Sequence, residues 1–209
     1  MIELWHCKDA RSLRALWTLE ELELDYRLHL MRFPPRMAEP TYLEVNPLGT
    51  VPFLIDGETR MTESVAICHY LARRYGDRRL AVAPEDPDYG SWLNWMYHAD
   101  ATLTFPQTLV LRYGRFEPVE RRQPQVVEDY TRWFFARLKL VNARLEAAEW
   151  LVADRFTAAD IAVGYALHLG RVIALGESYK PQTAAYLDRL SARPAFERAI
   201  AQGAGLPGF

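Results

Sequence analysis

Three short stretches of this sequence carry residue types that could do chemistry. The first is Glu63-Ser64, at the start of an apolar helical run. A helix start leaves backbone N–H groups unpaired and carries a positive dipole end, and a serine hydroxyl adds a donor, a combination suited to a carboxylate. Glu63 could hold an amine, although the dipeptide alone also reads as an ordinary exposed helix start. The second stretch is the turn holding Cys7, Arg11 and Ser12. A cysteine near a helix N-terminus can exchange disulfides, or it can simply end a strand. Ser12 can cap the helix or donate to an anion lying there, and Arg11 can add positive field. The third is Val51-Pro52, an ordinary edge-strand proline by its surroundings, with a trans bond expected from sequence alone. Cys68 falls in mid-helix and reads as core.

Other chemistries lack their signatures. Cys7 and Cys68 form no Cys-x-x-Cys pair, and the five histidines show no spacing that would gather a metal on one helical face, so no metal is expected.

The elements that must position these stretches alternate at first. Ile2 to His6 reads as a buried strand, Ser12 to Leu24 as a helix, and Tyr26 to Met31 as a strand of period two, which makes a βαβ unit. Phe33-Pro34-Pro35 ends it. After a connector to Asn46-Pro47-Leu48-Gly49, the runs Val51 to Ile55 and Thr59 to Thr62 flank Asp56-Gly57, a hairpin signal. Glu63 to Tyr75 is a helix, closed by Gly76 in a left-handed conformation. Charged residues with Pro84 and Pro87 mark a linker. Beyond it only helices are expected: Trp92 to Leu111 with a break at Pro106, and Val126 to Trp150 with Phe134, Leu138, Val141, Leu145 and Ala148 on one face. Phe156 to Ile161 has the form of a capping box, Thr157 with Asp160, inside a hydrophobic staple.

Half of the 209 residues are hydrophobic, enough for a substantial core, and a net charge of -2 gives no general field for phosphate backbones or anionic lipid. Residues 112 to 122 are only locally basic. No apolar run approaches the ~20 residues of a membrane span, and the N-terminal residues lack a signal peptide's basic and apolar regions. A cytoplasmic chain with no nucleic-acid or membrane partner is the expectation.

Four separated landmarks resemble the cytosolic glutathione-transferase family. They are Arg11 to Leu22, Asn46 to Leu54, Thr62 to Ile67 with Tyr70-Leu71, and the Phe156 to Ile161 segment. The resemblance implies an α/β plus all-α fold: a thioredoxin-like domain (βαβ-ββα, a mixed four-stranded sheet) over residues 1–77, a linker over 78–88 and a helical bundle over 89–209. It implies glutathione binding by Thr50, Val51, Pro52, Glu63 and Ser64, with the Val51–Pro52 bond cis so that the Val51 backbone pairs with the cysteinyl backbone of glutathione. For the thiolate, the tyrosine of some classes would fall where this chain has Trp5-His6, and the serine of others at Ala10. Ser12 and Arg11 are the remaining candidates. A second substrate, a small apolar electrophile, would meet Trp95, His98, Thr102, Phe105 and Tyr113, of which helical spacing makes several core. Glutathione would be co-substrate, with no cofactor. The resemblance further implies a homodimer, in which Asp100 would approach the neighbouring subunit's glutathione. Peroxide or disulfide reduction, isomerisation, and a non-catalytic interaction role are the alternatives on the same scaffold.

Overall fold

Leu4, Trp5, His6 and Cys7 are all withdrawn from solvent, which suits a strand inside a sheet rather than at its edge. In the computed structural model, which describes residues 1–76 and 79–207, they form β1 (Ile2–Cys7). The chain divides into two units, Met1–Ala81 together with the chain from Ser191, and Val82–Leu190.

In the first unit β1 leads through α1 (Ser12–Glu21) to β2 (Tyr26–Met31), and short helices α2 (Pro35–Ala38) and α3 (Tyr42–Val45) precede β3 (Phe53–Asp56), β4 (Thr59–Met61) and α4 (Ser64–Tyr75). The sheet order is β2-β1-β3-β4. β1 and β2 run parallel from Ile2 opposite Tyr26 to Cys7 opposite Met31, while β3 lies antiparallel to β1, with Trp5 opposite Phe53. β3 and β4 are antiparallel from Asp56 opposite Thr59 to Leu54 opposite Met61. The expected thioredoxin-like mixed sheet is present. Gly57 takes φ +58 in the hairpin, the turn its type requires.

Gly76 corrects an expectation. It sits at φ -88, not in the left-handed region, and is needed for space: a Cβ there would stand 2.4 Å from the Ala72 carbonyl oxygen. The expected linker also differs from a solvated tether, because Leu80, Ala81 and Val82 are buried. Its expected junction at residues 77 and 78 lies outside the described residues, as do 208 and 209 of the expected helical domain. The chain after Ser191 belongs to the first unit rather than to the helical one. Its helix α10 (Pro194–Gln202) sets Phe196 edge-on to the buried Trp17 ring, centroids 4.8 Å apart, and Arg193 grips the Glu21 carboxylate with two hydrogen bonds of 2.6 and 2.7 Å.

The second unit is helical among its described residues: α5 (Tyr89–Tyr97), α6 (Phe105–Leu111), α7 (Pro124–Ala147), α8 (Ala158–Val172) and α9 (Pro181–Ser191). The expected break at Pro106 is a widened turn instead. His98–Thr104 is π-helical and runs straight into α6, with the Thr104 hydroxyl donating to the Ala99 carbonyl at 2.7 Å. A π turn makes room for the proline ring, which in a regular α-helix would strike the carbonyl four residues earlier. Phe134, Leu138 and Val141 line the buried face of α7 as their spacing predicts. The capping box forms too: Asp160 accepts from the Thr157 N–H at 2.7 Å and also from the Leu151 N–H and the Tyr186 hydroxyl. A cap of this kind contributes about 1–2 kcal/mol.

Candidate functional site

The strand register gathers the three candidate stretches at one end of the sheet. Trp5 lies opposite Phe53, so the turn after Cys7 leaves the sheet where Val51-Pro52 enters it. Leu54 lies opposite Met61, so Glu63 and Ser64 leave β4 at that end as well. This is the carboxyl end of the parallel pair β1 and β2, where α/β sheets commonly hold ligands.

At the start of α4, Glu63 occupies the cap position in extended conformation and no side chain caps the helix. The N–H groups of Ser64, Val65 and Ala66 therefore lack intrahelical partners. Ser64 is nearly buried, and its hydroxyl oxygen accepts a 3.0 Å hydrogen bond from Nη1 of Arg14, a residue of α1 with no exposed surface. One turn further along both helices, the Thr18 hydroxyl meets the Cys68 sulfur at 3.2 Å and donates to the Arg14 carbonyl at 2.8 Å. Two polar rungs thus lock α1 to α4. Among the described residues the exposed Glu63 carboxylate accepts only a long hydrogen bond, 3.4 Å, from the Thr62 hydroxyl.

The segment before β3 is braced from behind. The Thr50 carbonyl accepts from the Tyr42 hydroxyl at 2.7 Å and from Asn46 Nδ2 at 2.8 Å, and Asn46 Oδ1 takes the Leu48 N–H. Gly49 turns at φ +59, with Arg36 Cβ only 2.7 Å from where a side chain would begin. The Val51–Pro52 bond is cis, as the resemblance implies, and Phe33–Pro34 is cis as well, which the sequence reading did not anticipate. Among the described residues, Val51 takes part in no turn or loop hydrogen bond of the backbone.

The turn after β1 is closed. Ser12 has no exposed surface; its hydroxyl oxygen lies 2.8 Å from Nδ1 of His6 and accepts the Cys7 N–H at 3.2 Å. It neither caps α1, whose cap position is Arg11, nor faces an incoming anion. The Ser12 hydroxyl thus sits among three groups of the turn, the Cys7 N–H, Nδ1 of His6 and the Cys7 carbonyl at 3.4 Å, and the direction of the His6 bond follows the imidazole tautomer. Burial lowers the His6 pKa to about 4, with Asp9 pulling weakly upward. The Cys7 thiol is buried, lies 3.6 Å from the Arg32 carbonyl, and is pushed up to about 12 by burial and by the Glu39 carboxylate. That is a structural thiol. Partly exposed Lys8, Asp9 and Arg11 make the outer surface of the turn, with Asp9 at φ +60.

The five second-substrate candidates differ in burial. Trp95 is core and stands edge-on to His98 at 5.6 Å. His98, Thr102 and Tyr113 are half-buried, and Phe105 is half-exposed with its ring directed at Tyr130 of α7. Among the described residues no cluster of His, Cys, Asp or Glu could hold a metal. Nor is any helix long and apolar enough to cross a membrane.

Sequence reasoning missed Arg14, His6, Tyr42 and Asn46. For Arg14 a signal existed, a lone charge between Leu13 and Ala15 in a run that is otherwise apolar through Trp17.

Comparison with known proteins agrees with this geometry. The family described as glutathione S-transferase, N-terminal domain, matches residues 10–74. The chain is 29% identical over 206 residues to glutathione S-transferase GstB of Escherichia coli K12, covering 96% of this chain and 98% of that protein. It is 32% identical over 159 residues to glutathione S-transferase hmp2 of Hypomyces subiculosus, covering 71% and 73%. The glutathione transferase URE2P6 of Phanerochaete chrysosporium, solved in complex with oxidized glutathione, has a TM-score of 0.85 at 26% identity, over 97% of this chain and 96% of that one.

Proposed function

The chain belongs to the glutathione S-transferase family, and from that premise we propose that this glutathione transferase holds its tripeptide along the polar end of the sheet and conjugates it to a small apolar electrophile. The observation that carries the reading is the uncapped start of α4, where three backbone N–H groups and the Ser64 hydroxyl gather over a buried arginine. The γ-glutamyl carboxylate of glutathione lies on those donors and its ammonium on the Glu63 carboxylate. Thr50, Val51 and Pro52 carry the cysteinyl backbone, with the Val51 N–H and C=O as its partners.

This path brings the thiol to the turn after β1. A free thiol is only a few per cent thiolate at neutral pH, and a helix N-terminus with a cation nearby raises that share. Backbone N–H groups of the turn from Lys8 to Arg11, other than that of Ala10, which pairs with the Cys7 carbonyl, do this work with the Arg11 side chain; the Ser12 hydroxyl acts only by fixing the turn from beneath. The thiolate then attacks the electrophilic carbon, the sulfur–carbon bond forms, and the leaving group departs or the electron pair moves onto an activated neighbouring atom. His98, Thr102, Phe105 and Tyr113 remain candidate contacts for that substrate, with Trp95 supporting them from the core. A mixed disulfide on Cys7 is disfavoured by its burial and raised pKa.

The homodimer is proposed as well, supported by the exposed Tyr97, Phe105 and Trp133 on α5, α6 and α7, the last two joined through the Tyr130 ring. Sizing in solution tests it, and a monomer would remove both the dimer and any role of Asp100 across it. Two unpaired cysteines suit the reducing cytoplasm, where a detoxifying role is proposed.

The glutathione reading is tested by capture on immobilised glutathione and by a conjugation assay of Ser64→Ala. We expect capture of the wild type and a KM for glutathione raised about tenfold in the variant, the worth of one hydrogen bond to a charged group. No capture, or an unchanged KM, overturns the site.

A further inference from the structure

The Arg14 guanidinium is fully buried in α1, and one of its N–H groups reaches Ser64 Oγ at 3.0 Å. Arginine has donors and no acceptor, so the direction of this bond is fixed: Ser64 accepts. The hydroxyl is left with one proton to give. Among the described residues no protein acceptor takes it. Arg14 thus decides which way the Ser64 hydroxyl points, and does so with a charged donor. Charge-assisted bonding on one side of a hydroxyl also makes its own proton a better donor on the other.

The second rung separates this from simple packing. Thr18 and Cys68 already join the same two helices one turn away, with neutral groups. A second neutral pair would serve packing at lower cost, since a buried guanidinium must be stripped of water. Its placement under the serine that opens α4, and not further along the helix, ties its donor to the hydrogen bonding at that helix start.

We infer that Arg14 is a positioning residue for the carboxylate end of the substrate: it orients and polarises the Ser64 hydroxyl, and so sets the preference for a ligand that carries an α-carboxylate at that point. The inference rests on the glutathione reading above.

The test uses the full-length protein, with glutathione and with its analogue lacking only the α-carboxylate of the γ-glutamyl residue, in the conjugation assay. For Arg14→Met we expect the KM for glutathione to rise about three- to tenfold, no more than for Ser64→Ala, with kcat within about twofold, because the interaction is made with a charged part of the substrate remote from the sulfur. With the analogue the variant and the wild type should differ less than about twofold. Arg14→Lys, which keeps a charged donor, should recover most of the loss. In a Ser64→Ala background the Arg14 substitution should add less than about twofold, since the two act in series. Should Arg14→Met fail to fold, Arg14→Gln carries the same comparison with a neutral side chain of similar reach. Thr18→Val serves as the packing control, lowering the melting temperature with KM unchanged.

An equal KM penalty for glutathione and the analogue, or a fall in kcat alone, overturns the role of Arg14. If the KM penalty of Ser64→Ala is larger for glutathione than for the analogue and that of the Arg14 variants is not, the inference fails while the glutathione reading stands. If the penalty of Ser64→Ala is itself equal for the two substrates, the reading fails and the inference falls with it.

Discussion

At the start of α4 the Ser64 hydroxyl takes a hydrogen bond from the protein and keeps its proton to give outward, whereas in the turn after β1 the Ser12 hydroxyl commits its oxygen to Cys7 and lies against His6 beneath the surface. Both serines are the first residue of a helix, and both are nearly or fully buried. What differs is the partner. Arg14 can only donate, so it turns a hydroxyl outward; His6 and the Cys7 backbone hold the other inside the turn. On the proposed reading the site is therefore asymmetric: side chains would recognise the charged end of the substrate, and the sulfur end would be left to backbone groups and Arg11.

Acid should separate the two ends most strongly. In the folded chain burial holds His6 at about 4, against an ordinary 6.5. Above pH 6.5 the imidazole is neutral whether the chain is folded or not, and its contribution to stability is complete. Between 6.5 and 4 only the unfolded chain takes the proton, so stability falls as pH falls, by about 3 kcal/mol across the window. Urea unfolding of the wild type and of His6→Asn at pH 7 and pH 4.5 checks this. The wild type should lose more stability on acidification than the variant; equal losses would mean that His6 is not held neutral by its surroundings. Ser64 and Arg14 have no part in this window.

A smaller effect is expected from Ser12→Ala. The substitution strands the Cys7 N–H and His6 Nδ1 inside the protein, which costs about 2 kcal/mol of stability. Glutathione conjugation should stay within about twofold of the wild type, because the hydroxyl faces away from the ligand. A tenfold fall in kcat at unchanged stability would restore Ser12 as the thiolate donor and abolish the contrast with Ser64.

The sequence made some of this asymmetry legible. The βαβ-ββα order followed from periodicity and from Asp56-Gly57, and Thr157 with Asp160 announced its capping box, because each is a local signal with a local cause. The Glu63-Ser64 helix start was legible for the same reason. Ser12 was not. Its role depends on His6, six residues away along the chain, and on the return of the turn under β1, which no spacing rule encodes. Arg14 and Ser64 are fifty positions apart, so their bond appears only once α1 lies on α4. Pro106 was misread as a break because a proline rule assumes a regular α-helix, and the preceding residues instead widen into a π turn. The return of α10 to the first unit needs Trp17 and Phe196 to meet from opposite ends of the chain.

The smallest expected change in activity lies at Cys7, which sharpens the comparison from the other side. If the sulfur end is served by backbone groups, the one thiol the chain keeps near that turn must be chemically silent. Raising its pKa from 9.0 to about 12 lowers the thiolate fraction at neutral pH about a thousandfold, and burial closes the approach besides. Iodoacetamide should therefore leave Cys7 unmodified on the timescale that labels a free thiol, and modify it only after unfolding. Cys7→Ala should conjugate glutathione within about twofold of the wild type, losing only the small packing term of a buried thiol. Rapid native labelling, blocked by glutathione and abolished in Cys7→Ala, would instead show a turn that opens, and a sulfur end with a side chain of its own.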